Sequence, residues 1–333
     1  MMKNHASGLL TLTLMLAIAA ATPAAAQTST ASKDRSAPAV THNTWTSGTP
    51  LPTAVEFATS AVLKDEIYVV GGENADNTII ADTQIYNPAT NTWSTGVSYP
   101  TGISSPSSAV VKNILYVFGG TSDNETPSDA VWAYNPKTKA WTAMADMPTA
   151  RFSTAAVVEK NIVYVIGGGC GNACGNGNLA TVESYNPATD TWTEEAPMLG
   201  TKATPAAGLL GTTIVVADGS VAPSEITGDA EGYDAATNTW TELTADPAAR
   251  TAPCFGSIGA KFYDAGGYLS DGAVATANES FQLSKNKWTT TLAPMPQAAM
   301  WGASAVYKKQ LYCIGGWAVF GGAPLGNVQI YQP

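Results

Sequence analysis

The sequence predicts an all-β fold assembled from six copies of one unit, and three observations carry that prediction. Tryptophan recurs at Trp45, Trp93, Trp141, Trp192, Trp240 and Trp288, with spacings of 48, 48, 51, 48 and 48 residues. Between successive tryptophans an apolar run ends in a glycine doublet: IYVVGG to Gly72, LYVFGG to Gly120, VYVIGG to Gly168, IVVADG to Gly219, FYDAGG to Gly267 and LYCIGG to Gly316. With 31 Gly and 20 Pro and only 13% charged residues, the chain suits short strands and many turns better than long helices.

Each element of the unit has a physical reason. The first strand is small, as in ATSA from Ala58 to Ala61, STAA from Ser153 to Ala156 and GAS from Gly302 to Ser304, because strands crowded about an axis leave little room for side chains. The second strand is the apolar run, and its glycines permit positive φ or close backbone approach where it ends. A tyrosine strand follows and breaks into an Asn-Pro or Ala-Thr-Asn turn, as in IYNPATNTW and SYNPATDTW. The tryptophan strand is last, and the recurrent Tyr and Trp supply large buried areas between units. This grammar over residues 43 to 333 resembles the kelch repeat, which implies a six-bladed β-propeller with four strands per blade.

The chain ends at Tyr331-Gln332-Pro333 inside a tyrosine strand, while NTWTSG at Asn43 to Gly48 lacks the three strands that should precede it. Joined, the two complete one unit. The N-terminal segment is therefore expected to supply the outer strand of the last blade, leaving no open sheet edge. Residues 1–26 read as a secretory signal, with Lys3, an apolar run from Leu9 to Ala21 and Ala24-Ala25-Ala26 before Gln27; the run is too short to span a bilayer. Residues 27–41 read as a flexible leader and residues 42–333 as the propeller, so a secreted or periplasmic protein without an integral membrane segment after cleavage is expected. Four cysteines in such a chain are expected to be oxidised. Cys170 and Cys174 could close a small loop, and Cys254 and Cys313 could pair across blades or remain buried thiols.

Composition excludes several functions. A formal charge of −10 and a pI near 4.6 disfavour nucleic acid. The two histidines are His5, inside the signal, and His42, so multi-histidine metal sites are excluded and neither cofactor nor metal is expected. Among the activities that the kelch resemblance brings, copper oxidases need two His ligands. The iron-dependent specifier proteins share only the Glu242, Asp246 spacing, and Arg250 stands where their Cys would be.

The candidate site comes from residues that depart from the repeat. Sixteen positions before the first doublet position stand Val55, Ile103, Arg151, Lys202, Arg250 and Ala299; two residues later stand Phe57, Ser105, Ser153, Thr204, Ala252 and Trp301. If the stretch is extended, both sets share one face. Arg151, Lys202 and Arg250 would then either form an anion-binding half-ring at the axial mouth or brace the blade junctions. Trp301, Trp317 and Tyr268, with Phe320 nearby, offer aromatic faces on which a sugar can stack. Candidate proton-transfer groups are Asp218, which replaces a doublet glycine, Glu73, which follows a doublet, and Glu56, where an inner strand begins. The expected function is ligand binding at the mouth, the ligand a carbohydrate or other carboxylated small molecule, with a cell-surface protein as the other class of partner. The alternative is a sugar isomerase (mutarotase) similar to the periplasmic kelch sialate (N-acetylneuraminate) epimerases, and catalysis is left open.

Overall fold

A computed structural model describes residues 42–171, 177–222 and 225–333, and these form six four-stranded antiparallel sheets. Blade 1 runs from the axis outward as Thr59–Leu63, Glu66–Val70, Thr83–Asn87 and Thr92–Thr95. Blades 2 to 5 repeat the order, with innermost strands Ser107–Val111, Ala155–Glu159, Ala206–Leu210 and Cys254–Ile258. Blade 6 takes Ala303–Tyr307, Gln310–Ile314 and Val328–Gln332 from the C-terminal end of the chain and Thr44–Gly48 from the N-terminal end. The two ends pair antiparallel from Thr44 opposite Gln332 to Gly48 opposite Val328, so the expected closure is present. No helix among the described residues is long and apolar enough to cross a membrane. Residues 1–26 and 27–41, expected to be a signal and a flexible leader, lie outside the described residues.

The second strands are buried on both faces because each blade is covered by its neighbours; Ile67, Val69 and Val70 are all at most 1% exposed. The repeat tryptophan packs within its own blade, on the ring of the third strand. Trp93 lies 4.9 Å from Tyr86, Trp192 4.9 Å from Tyr185 and Trp288 5.3 Å from Phe281. Its indole N–H reaches across to the preceding blade: Trp93 donates to the Thr49 carbonyl and Trp240 to that of Ala196, both at 2.8 Å. One residue thus fills the rim of a blade and ties it to the next.

Both doublet positions take a left-handed backbone that favours glycine. In blade 2, Gly119 has φ +60, and a Cβ there would run into the Arg151 carbonyl; Gly120 has φ +93 and donates its N–H to that same carbonyl at 3.0 Å. All six doublets dock in this way on the segment that enters the next blade. Asp218 keeps the geometry at φ +63, and Gly219 after it donates to the Arg250 carbonyl at 2.8 Å. Cys254, on the innermost strand of blade 5, and Cys313, on the second strand of blade 6, form a disulfide with Cα atoms 5.6 Å apart. The other expected pair includes Cys174, which lies outside the described residues.

Candidate functional site

Around the axis the backbone makes a closed ring. Phe57, Ser105, Ser153, Thr204, Ala252 and Trp301 all have φ between +50 and +55. Each donates its N–H to the carbonyl of the equivalent residue in the preceding blade, at 2.8 to 3.4 Å, and Phe57 closes the circle on Trp301. A left-handed conformation at six non-glycine residues is costly for L-amino acids, and here the inter-blade bonds hold it. The residue before each ring member bridges the residue after a doublet, as in Glu56 with Glu73, Ser104 with Thr121 and Met300 with Trp317. Inner-strand entries and post-doublet loops therefore share one mouth, as the repeat implies.

The ring separates two cavities. Below it an axial channel of about 200 Å³ is walled by small and hydroxyl side chains of the innermost strands. Thr59 and Ser108, and Ser107 and Thr154, are joined there by hydroxyl hydrogen bonds of 2.7 Å. Above it the mouth encloses about 550 Å³, within the range of small-molecule sites. One side of the mouth is aromatic. Trp301 lies 5.2 Å from Phe57, 5.4 Å from Trp317, 5.8 Å from Phe320 and 6.3 Å from Tyr268, whose ring is nearly parallel to it. Phe57, Trp301, Tyr268 and Phe320 line the cavity, Trp317 packs behind them, and the Phe320 side chain is 64% exposed. The other side carries, beside Phe152 and Ile226, the Ser105, Ser153, Thr204 and Thr121 hydroxyls and the Asn124 and Asn178 amides. Asn124 is presented by a loop that Asp123 orders: its carboxylate accepts from the Glu125 and Thr126 N–H groups and the Thr121 and Thr126 hydroxyls, which hold it below the usual carboxylate range.

The basic trio is elsewhere. Arg151, Lys202 and Arg250 are at most 1% exposed, and none lines either cavity. Arg151 Nη2 donates to Glu183 Oε2 at 2.8 Å, and its other terminal donors take the carbonyls of Gly167, Thr181 and Val165. Burial pulls Arg151 down to about 10, against the opposing pull of Glu183, which leaves it charged at neutral pH. Lys202 Nζ stands 3.4 Å from Glu231, and Arg250 Nη2 2.6 Å from Glu279. These cations brace the blades and form no anion-binding half-ring. The expectation that they face the mouth with Ser153 and its equivalents fails for one reason: it assumed an extended strand, and the positive φ of the ring residue breaks the alternation between the two positions.

Of the candidate acids, Glu73 lines the mouth and accepts from the Ser104 hydroxyl at 2.7 Å. Glu56 lies behind it, 1% exposed, and burial followed by the charge of Glu73 pushes it up to about 8. Asp218 is fully buried away from the mouth, which removes it as a ligand contact. The sequence reading passed over the hydroxyl and amide wall. Its signals were the ring positions Ser105, Ser153 and Thr204, named for their spacing and not for their hydroxyls, and Thr121, which follows a doublet; Asn124 and Asn178 lie on loops that the repeat does not constrain.

Residues 39–223, more than half of the chain, match the family model described as the KLHDC2/KLHL20/DRC7 Kelch-repeats domain. The chain belongs to this kelch-repeat family. A solved structure titled "Structure of YjhT" superimposes with a TM-score of 0.73 over 84% of this chain and 95% of that one, at 19% identity, a likeness of fold alone. No curated protein matches this kelch chain.

Proposed function

We propose that this kelch propeller binds a neutral carbohydrate at the axial mouth. The observation that carries the reading is the pairing of an aromatic wall, Trp301, Tyr268, Phe57 and Phe320, with a facing wall of hydroxyls and amides around about 550 Å³. Sugar rings present apolar C–H faces that stack on aromatic faces, while their hydroxyls exchange hydrogen bonds with Ser, Thr and Asn. Neutral is preferred to carboxylated because the cations that would orient a carboxylate are spent on Glu183, Glu231 and Glu279, and the one charged residue lining the mouth among the described residues is Glu73. Export through residues 1–26 belongs to the same reading and places the mouth where extracellular or periplasmic glycans are met; the Cys254–Cys313 disulfide favours an oxidising compartment.

A glycan array carrying matched neutral and sialylated oligosaccharides tests this. Binding confined to neutral members is expected, and selective binding of acidic members would overturn it. A second reading, anomer exchange of the bound sugar, is favoured by Glu73 at the mouth with the Glu56 carboxyl, which burial pushes up to about 8, behind it. Ring opening requires one group to take the anomeric hydroxyl proton and another to protonate the ring oxygen. Exchange NMR on an array hit separates the two: faster exchange that is lost in Glu73→Gln makes the protein an isomerase, and unchanged exchange leaves it a binding module.

A further inference from the structure

Three departures from the repeat converge on one buried point. Asp218 stands where the other five blades have the first doublet glycine. Asp264 occupies the second-strand position held elsewhere by Val69, Val117, Val165, Val216 and Cys313. Asp246, four residues before Arg250, occupies the position held by Leu51, Tyr99, Met147, Met198 and Met295. The repeat calls for glycine or an apolar residue at all three positions. One blade junction has acquired three acids.

They come from the end of the second strand of blade 4, the connection between blades 4 and 5, and the second strand of blade 5, and one carboxylate oxygen of each lies within 4.8 Å of the others. Asp218 and Asp264 are 0% exposed and Asp246 4%. Arg250 satisfies them only in part: its backbone N–H donates to Asp218 Oδ1 at 3.4 Å, and its side-chain donors are taken elsewhere. Its Nε–H goes to the Ala248 carbonyl at 3.1 Å, Nη1 to the Gly266 and Ala277 carbonyls, and Nη2 to Glu279. Nε remains 3.3 Å from Asp246 Oδ2 and 3.6 Å from Asp264 Oδ1 as a charge only. Neither oxygen of Asp264 has a hydrogen-bond partner, and Asp218 Oδ2 and Asp246 Oδ2 have none. Asp218 Oδ2 and Asp264 Oδ2 are thus buried without a hydrogen bond, Asp246 Oδ2 and Asp264 Oδ1 have only the charge of Arg250 beside them, and with Glu279 four carboxylates share one guanidinium. One guanidinium shared among four buried carboxylates leaves negative charge uncompensated in a dry site, so the cluster calls for a further positive charge.

We propose that Asp218, Asp246 and Asp264 bind a calcium ion that staples blade 4 to blade 5. All-oxygen, carboxylate-rich donors suit a hard divalent cation, and oxygens on opposite sides of calcium, with bonds of about 2.3 to 2.6 Å, are about 4.6 to 5.2 Å apart. The three oxygens all lie within 4.8 Å of one another, close enough for one such ion to touch all three. Magnesium dehydrates reluctantly and keeps several waters, which a site closed to solvent does not offer. Because the site is closed to solvent, the ion enters as the blades assemble. Protons are the competing occupants: burial and mutual repulsion raise Asp218, and burial against the pull of Arg250 pushes Asp264 up to about 6.

The test is made on the whole protein, unfolded in EGTA at pH 8, where ionisation of the acids is favoured, and refolded with CaCl2, with MgCl2 or with neither. Refolding with CaCl2 is expected to raise the melting temperature by about 5 °C or more and to retain about one calcium per chain after gel filtration, with no comparable effect of MgCl2. The triple variant D218G/D246M/D264V, which restores the repeat, should bind no calcium and melt at the same temperature in CaCl2 and EGTA. Should that variant fail to fold, D264N decides, because it removes one charge at nearly constant volume and is expected to weaken calcium binding at least tenfold. Equal melting temperatures of the wild type in CaCl2 and EGTA with no retained calcium, or equal calcium binding by the wild type and D264N, would overturn the proposal.

Discussion

The backbone N–H of Phe57 in blade 1 donates to the carbonyl of Trp301 in blade 6 at 2.9 Å. That bond completes the six-membered ring about the axis, and the same two side chains, 5.2 Å apart, form the centre of the aromatic wall above it. Closure of the fold and construction of the mouth therefore meet at one junction, where the disc is otherwise held by Thr44–Gly48 pairing with Val328–Gln332.

Deleting residues 43–48 should sharply lower the melting temperature. It exposes the edge of blade 6 and removes Trp45, which packs 5.0 Å from Tyr331 and donates to the Ala293 carbonyl. Calorimetry showing an unchanged transition would refute the closure.

Arg151→Ala should cost about 3 to 5 kcal/mol in denaturant unfolding, because it leaves Glu183 buried without its partner. The pair variant Arg151→Met with Glu183→Met should recover most of that loss. Glycan affinity per folded molecule should be unaffected, since Arg151 lines no part of the mouth. An affinity loss without a stability loss would return Arg151 to the site.

Internal comparison of the blades supports the bracing role. The three blades with a cation before the inner strand carry Glu183, Glu231 and Glu279 on the third strand, and the three without carry Gln84, Trp132 and Gln329. This pairing was legible in the sequence. So were the blade count, the order of strands, the closure and the aromatic cluster, because each rests on a spacing that a 48-residue period fixes. Side-chain direction at the inner-strand entries was not legible. It depends on a single φ, and Phe, Ser, Thr, Ala and Trp at that position give no sign of a left-handed backbone. The carboxylate cluster was equally hidden, since its members are 28 and 18 residues apart along the chain and only the blade geometry brings them together.

Glu56 predicts a pH dependence of stability. Its folded value of about 8 lies above the ordinary 4.5, so between these values the folded chain holds a proton that the unfolded chain releases. Stability should therefore fall as pH rises from about 4.5 to 8, with a limiting slope of about 1.4 kcal/mol per pH unit from this group. Glu56→Gln should flatten the profile relative to wild type in urea titrations across that range. Parallel profiles would show that Glu56 ionises freely in the folded protein.

Reduction of the Cys254–Cys313 bond, or Cys254→Ala with Cys313→Ala, should destabilise the chain by about 4 kcal/mol. The cross-link constrains a loop of 59 residues in the unfolded state. Equal unfolding midpoints with and without reductant would contradict this.

The most direct test of the mouth as a neutral-sugar site is titration calorimetry of the best-bound neutral array glycan against wild type and Tyr268→Ala. Tyr268 lines the cavity, stacks on Trp301 and lies outside the six-residue ring, so its removal spares the ring's backbone bonds. The account predicts an unchanged melting temperature and an affinity at least tenfold weaker, a loss of about 1.4 kcal/mol. Equal affinity in the two proteins would contradict it.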